Sequence, residues 1–170
     1  VNNGFLGFAV PDALAPGVPL TLTGGTLELN GKNQALGELA GAPGILPARI
    51  ETAAAAVLTV AQDTDTSFDG CLAGPLTLVK TGTGTLALGC AASTFNGVFV
   101  VSNGTLAVAS SGSLGAGGEL VLAGGKLGLN ASATVRRLFS AASSSRAAPT
   151  GQPPPARSSR MTLASPARKC

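Results

Sequence analysis

The sequence predicts an all-β fold: a parallel β-helix, or β-solenoid, over residues 1–135 with coils of about 20 residues, followed by a disordered basic tail at 136–170. Three observations predict it. First, four segments repeat one grammar: "VPLTLTGGTLELN" (18–30), "GPLTLVKTGTGTLALG" (74–89), "GVFVVSNGTLAVA" (97–109) and "GELVLAGGKLGLN" (118–130). Each runs as an alternating apolar strand, a Gly-containing bend, and a second strand opening on Gly-Thr-Leu or Gly-Lys-Leu. Second, the marker residues Leu27, Leu86, Leu106 and Leu127 are spaced 59, 20 and 21 apart, the first gap being close to three of the others. Third, "TSFDG" (66–70) and "STFNG" (93–97) echo one another between strand pairs.

The strands follow from alternation. "LTLT", "TLEL", "TLVK", "TLAL", "TLAV" and "LVLA" repeat with period 2, so each strand has one face to bury. A lone unit cannot bury that face. Stacked coils can, because the backbone of each pairs with the coils above and below at roughly 4.8 Å. Leu over Leu and Val over Val then make continuous internal ladders, and residues 1–135 supply roughly six or seven coils. In "VKTGTGTLALG" (79–89), Gly82 and Gly84 set the bend, and Leu86 and Leu88 face inward. Phe68 and Phe95 are expected inside, with Asp69-Gly70 and Asn96-Gly97 turning through positive φ. "IETAAAAVLTV" (50–60) holds four alanines that favour helix, but it runs into β-branched alternation and reads as one more coil.

The chain has 170 residues, 24 glycines and six phenylalanines, with no Trp, Tyr or His. Lacking His, it lacks the commonest general base and metal ligand. The net charge of +3 hides an asymmetry. Residues 1–135 carry four cations (Lys32, Arg49, Lys80, Lys126) against eight acids, a net of −4; residues 136–170 carry seven cations and no acid, +7. That tail is rich in Ser, Pro, Ala and Arg and has no strand grammar, which is the composition of disorder. Its charge is sparse and Phe139 is its one aromatic, so no nucleic-acid partner is expected. The three cysteines show no zinc spacing. Cys71 and Cys90 stand 19 apart, close to one coil; if stacked, they approach disulfide distance, and isolated buried thiols are the alternative. No signal peptide and no apolar run of about 18 residues is present. Val1 stands without a preceding Met, as in an internal piece of a longer chain.

The tempting motifs fail on spacing. A phosphate loop of the G-x-x-x-x-G-K-[ST] type needs Lys after its second Gly, whereas Lys80 precedes Gly82 and Gly84. In "GGTLELNGKN" (24–33) the span from Gly25 to Gly31 is one residue too long and Asn33 replaces the hydroxyl residue. Gly82 to Ala87 fits a relaxed G-x-G-x-x-A, but no helix follows it. Asp63, Asp65 and Asp69 lie close together, yet Phe68 and Gly74 occupy the Gly and Glu positions of a calcium loop, so they read as a solvated polar face. No pair of carboxylates, Ser-based triad or lyase base is recognisable. Catalytic, cofactor-binding and metal-binding residues are all expected to be absent.

"LTLVKTGTGTLALGCAASTFNGVFVVSNGTLAVASSGSLGAGGELVLAGGKLGLN" (76–130) resembles the autotransporter-associated β-strand repeat, also called the passenger-associated transport repeat. The resemblance is carried by Lys80 to Leu86, Ser93 to Gly97, Gly104 to Leu106 and Ser113 to Gly115; Ser93 replaces a usual Asn, Phe95 a commoner Tyr, and Cys90 a usual Ser or Gly. "LTLTGGTLELNGKNQALGELAG" (20–41) is similar to the intervening coils of such proteins. The family implies a right-handed parallel β-helix in a large secreted or surface-exposed bacterial protein, where the repeat assists export and carries no catalytic residues. The partners it implies are neighbouring repeats of the same chain and outer-membrane export machinery. Glycans are the expected ligand if one solenoid face is adhesive instead.

Overall fold

A computed structural model describes residues 3–41, 48–115, 117–140 and 161–163. Among them every regular element is a β-strand, and the strands form a stack of parallel coils. Each full coil visits three faces. The first face holds Phe5–Gly7, Thr26–Glu28, Arg49–Glu51, Cys71–Gly74 and Thr94–Phe95. The second holds Gln34–Leu36, Ala56–Ala61, Leu76–Thr81, Val98–Val101, Glu119–Leu122 and Arg137–Ser140. The third holds Thr66–Phe68, Thr85–Leu88, Thr105–Val108 and Lys126–Leu129. Earlier coils prolong the third face through Leu20–Thr21 paired with Leu39–Ala40, joined to the rest by the bridge from Gly41 to Phe68. The alanine run yields strand, not helix: Ala56 starts a six-residue strand of alternating burial, because cross-coil packing outweighs the few tenths of a kcal/mol that alanine gains in a helix.

Register is kept residue by residue. On the second face Leu58, Leu78, Phe99, Leu120 and Leu138 form one ladder, spaced 20, 21, 21 and 18 in sequence. On the third, Leu86 pairs with Leu106 and Leu106 with Leu127, while Phe68, Leu88, Val108 and Leu129 form the neighbouring row. These rows make one core, with Leu58, Phe68, Leu86, Phe99, Leu106 and Leu120 fully buried. Phe95 stacks on Phe99 with ring centroids 4.2 Å apart, so the inward placement of Phe68 and Phe95 holds.

Leu27 sits on a different face from the other marker leucines. It pairs with Leu6 and Ile50 on the first face, so the 59-residue gap to Leu86 is not three steps along one ladder. The cause is local: Gly-Thr-Leu marks a strand leaving a bend, and any of the three bends of a coil can carry it. The turns at "FDG" and "FNG" also work differently from expectation. Neither Gly70 nor Gly97 has positive φ. Glycine is required because a Cβ at Gly70 would run into the Phe68 ring, and one at Gly97 into the Leu76 carbonyl of the coil below.

Stacking continues past residue 135. Arg137–Ser140 pairs in parallel with Glu119–Leu122, and Arg137 Nε lies 3.9 Å from the Glu119 carboxylate. Met161–Leu163 pairs antiparallel with Ala133–Val135. The remainder of the predicted tail lies outside the described residues.

Cys71 and Cys90 are joined by a disulfide, with Cα atoms 5.1 Å apart. Cys71 opens a first-face strand, and Cys90 follows the third-face strand Thr85–Leu88 as the chain returns toward the first face. The open alternatives of the sequence resolve as a bond that closes one coil into a covalent ring.

Candidate functional site

The bend at Thr81–Thr85, between a second-face and a third-face strand, concentrates the polar chemistry of the stack. It begins with Lys80. Leu76, Leu78 and Lys80 share one parity along their strand, and all three are buried. Lys80 stands in an inward row between Val60 and Val101 and is 0% exposed. Its ammonium donates to the Thr81 carbonyl at 3.3 Å, the Gly82 carbonyl at 3.2 Å and the Asn103 carbonyl of the next coil at 3.3 Å. Burial pushes the Lys80 pKa below the ordinary lysine value, and the carboxylates of Asp63 and Asp65 pull it partly back.

Those two aspartates belong to the preceding coil and reach up to the bend. Asp63 accepts from the Thr83 N–H at 3.2 Å and Asp65 from the Thr85 N–H at 2.7 Å, while the Gly84 N–H donates to the Gln62 carbonyl at 2.9 Å. A phosphate loop keeps successive N–H groups free for its ligand; here three in succession are already engaged by the coil below. Glycine is needed at 84 because a Cβ would strike the Thr64 carbonyl, and at 82 because φ is +75°. The third acid, Asp69, is placed elsewhere, against Gly89. Asp63 and Asp65 are exposed, so the solvated polar face expected from the sequence holds for these two, and each also latches onto the bend of the next coil; Asp69 stands apart.

Other buried polar side chains latch neighbouring coils in the same way. Gln62 accepts from the Leu39 N–H at 3.1 Å and donates to the Thr64 carbonyl at 3.1 Å. Gln34 donates to the Val10 carbonyl at 2.9 Å and accepts from the Ala13 N–H at 2.9 Å. Ser113 donates to the Leu88 carbonyl at 2.6 Å. No buried side-chain nitrogen or oxygen among the described residues lacks a partner, as a stable interior requires. No motif in the sequence marks Lys80, Gln34 and Gln62 as latches. The parity of Lys80 with Leu76 and Leu78 was the signal that could have found it.

The Asp65 carboxyl is held below its ordinary 3.8 by the Thr85 N–H first, then by the Thr85 side chain and, more weakly, by Lys80, against a small burial effect. A depressed carboxyl contributes stability that is complete above the unfolded value and is lost as pH falls through the folded one. Asp65→Asn is therefore expected to lower the urea midpoint at about pH 7 and to lower it less at about pH 2, as the parent's carboxyl takes up its proton. An equal deficit at both pH values would show that the carboxylate charge is not what the latch uses.

On the outer side of the first face lies a shallow cleft of ≈ 300 Å³, lined by Glu28, Arg49, Glu51, Ala73, Gly74 and Thr94 among others. Arg49 pairs with Glu51 on its own strand, and the Glu28 carboxylate accepts from the Asn30 N–H at 2.9 Å. The cleft is a dent in a polar surface row, formed where Ala73 follows Glu51 in the ladder. No helix among the described residues is long and apolar enough to cross a membrane.

No curated protein and no solved structure matches the chain. The latched bend and the coil stacked upon it do match a known family: residues 78–108 fit the model of the passenger-associated-transport-repeat, and over that stretch the chain is similar to the repeats of that family.

Proposed function

We propose that this chain is a structural, non-enzymatic segment of a bacterial secreted or surface-exposed passenger, acting as a spacer and assisting export by stacking coil upon coil. One observation carries the reading: from Ala56 to Leu122 each second-face strand pairs in register with the strands one coil before and one coil after. Such a stack can be laid down in chain order, each new coil using the last as template. Folding outside the cell then disfavours backward sliding of the chain. The match at 78–108 supports the extracellular setting and makes outer-membrane export machinery the expected partner. Deleting residues 76–130 from the full polypeptide is expected to reduce surface display in a host with an outer membrane, scored by protease accessibility on intact cells. Display at the parental level would refute the export role and leave the spacer role.

A second reading has one observation in its favour. The first-face cleft presents Glu28, Arg49, Glu51 and Thr94 on a rigid sheet, a polar surface suited to hydroxyl-rich glycans. Binding on a glycan array that is lost in Arg49→Ala would favour adhesion.

A further inference from the structure

The apolar rows alone do not specify one stacking register. The stacked neighbours Ala56–Ala61, Leu76–Thr81 and Val98–Val101 all alternate with period 2, and sliding one strand past its neighbour by two residues keeps every inward side chain inward. Something must separate the correct register from these slips. On the second face the inward row runs Leu36, Val60, Lys80, Val101, Leu122, and Lys80 is its charged member.

We propose that Lys80 is the register-selecting residue of this stack: its ammonium can be covered only by a coil that brings the Asn103 carbonyl and Gly104 directly over it. Two features impose the match. Two acceptors, the Thr81 and Gly82 carbonyls, come from the bend of Lys80 itself, and the third, Asn103, comes from the next coil. A slip of two residues moves Asn103 by about 6.6 Å, out of reach, and leaves a buried ammonium short of a partner, which is heavily disfavoured. The space above the ammonium is also tight: a Cβ at Gly104 would lie 2.6 Å from Lys80 Nζ, and Gly104 has φ +64°. Until the next coil arrives, Lys80 is at the open end of the stack and hydrated. Covering it removes that water, and only the matched bend replaces it. A buried polar group that fixes register while adding little net stability is a known device in coiled coils; here it acts between β-coils. The inference holds for the folded chain whether or not stacking assists export.

The test compares the whole chain with Lys80→Met and Lys80→Gln, refolded from denaturant and examined by hydrogen exchange with mass spectrometry over residues 98–108. The parent is expected to give a single protected envelope, reporting bonds such as Ser102 N–H to the Lys80 carbonyl and Thr105 N–H to the Gly84 carbonyl. Lys80→Met is expected to fold with an unchanged or higher denaturation midpoint but to show a second, less protected envelope holding on the order of a tenth of the molecules. Lys80→Gln keeps two N–H donors on this inward side chain and is expected to restore the single envelope. The proposal is overturned if Lys80→Met folds with one envelope like the parent, if it does not fold at all, or if Lys80→Gln is as heterogeneous as Lys80→Met.

Discussion

Phe99→Ala is expected to cost about 3–5 kcal/mol, toward the upper end of the range for emptying a core aromatic site. Phe99 is fully buried, ranks in the ladder between Leu78 and Leu120, and stacks on Phe95. In most cores neighbours relax into part of the space left by such a change. Here they cannot move far, because the coils above and below are held at the strand spacing of about 4.8 Å by their own backbone pairing. A cavity that cannot collapse keeps its full cost. Against a typical domain stability of about 5–15 kcal/mol, that is enough to shift the denaturation midpoint strongly. Phe139→Ala is the control: Phe139 is 48% exposed on the strand Arg137–Ser140, and its loss is expected to stay within about 0.5 kcal/mol. Equal, small losses at both positions would mean that the inward ladder is not the main source of stability.

Replacing Cys71 and Cys90 together by serine is expected to cost about 3 kcal/mol, the chain entropy that a bond closing a loop of roughly this length removes from the unfolded state. The bond spans 19 positions and ties the opening of one first-face strand to the start of the following coil. In a stack stabilised mainly by nearest neighbours, unfolding runs inward from the ends; a covalently closed coil interrupts that run. Hydrogen exchange should therefore accelerate most in the coil from Cys71 to Phe95 and least in the early coil around Leu27. Identical melting curves for the oxidised and reduced protein would contradict this.

How much was legible beforehand differs by level. The strands and their inward residues were readable from alternation, because a period of two requires only neighbours along the chain. So was the spacing of about 20, since Leu86, Leu106 and Leu127 fall one coil apart on one face. The face on which Leu27 lies was not readable, because a Gly-Thr-Leu bend looks the same at each corner of a coil. The reason for Gly70 and Gly97 was not readable either: their constraint is the packing of other atoms, the Phe68 ring and the Leu76 carbonyl, and not their own φ. Asp63 and Asp65 are solvent-exposed as their composition suggests, but their hydrogen-bond partners, Thr83 and Thr85, are 20 residues away and are not legible locally.

The sequence by itself determined that this chain is a stack of β-coils and which apolar side chains point into it. Those are consequences of local period and of turn residues, which act over a few positions. Only the tertiary structure decided which coil face each strand occupies, that Cys71 and Cys90 are bonded, and that Lys80 is turned into the core to meet a carbonyl from the next coil. Each of those depends on two segments about one coil apart meeting at hydrogen-bond or covalent distance, and that meeting exists only once one coil has been laid upon another.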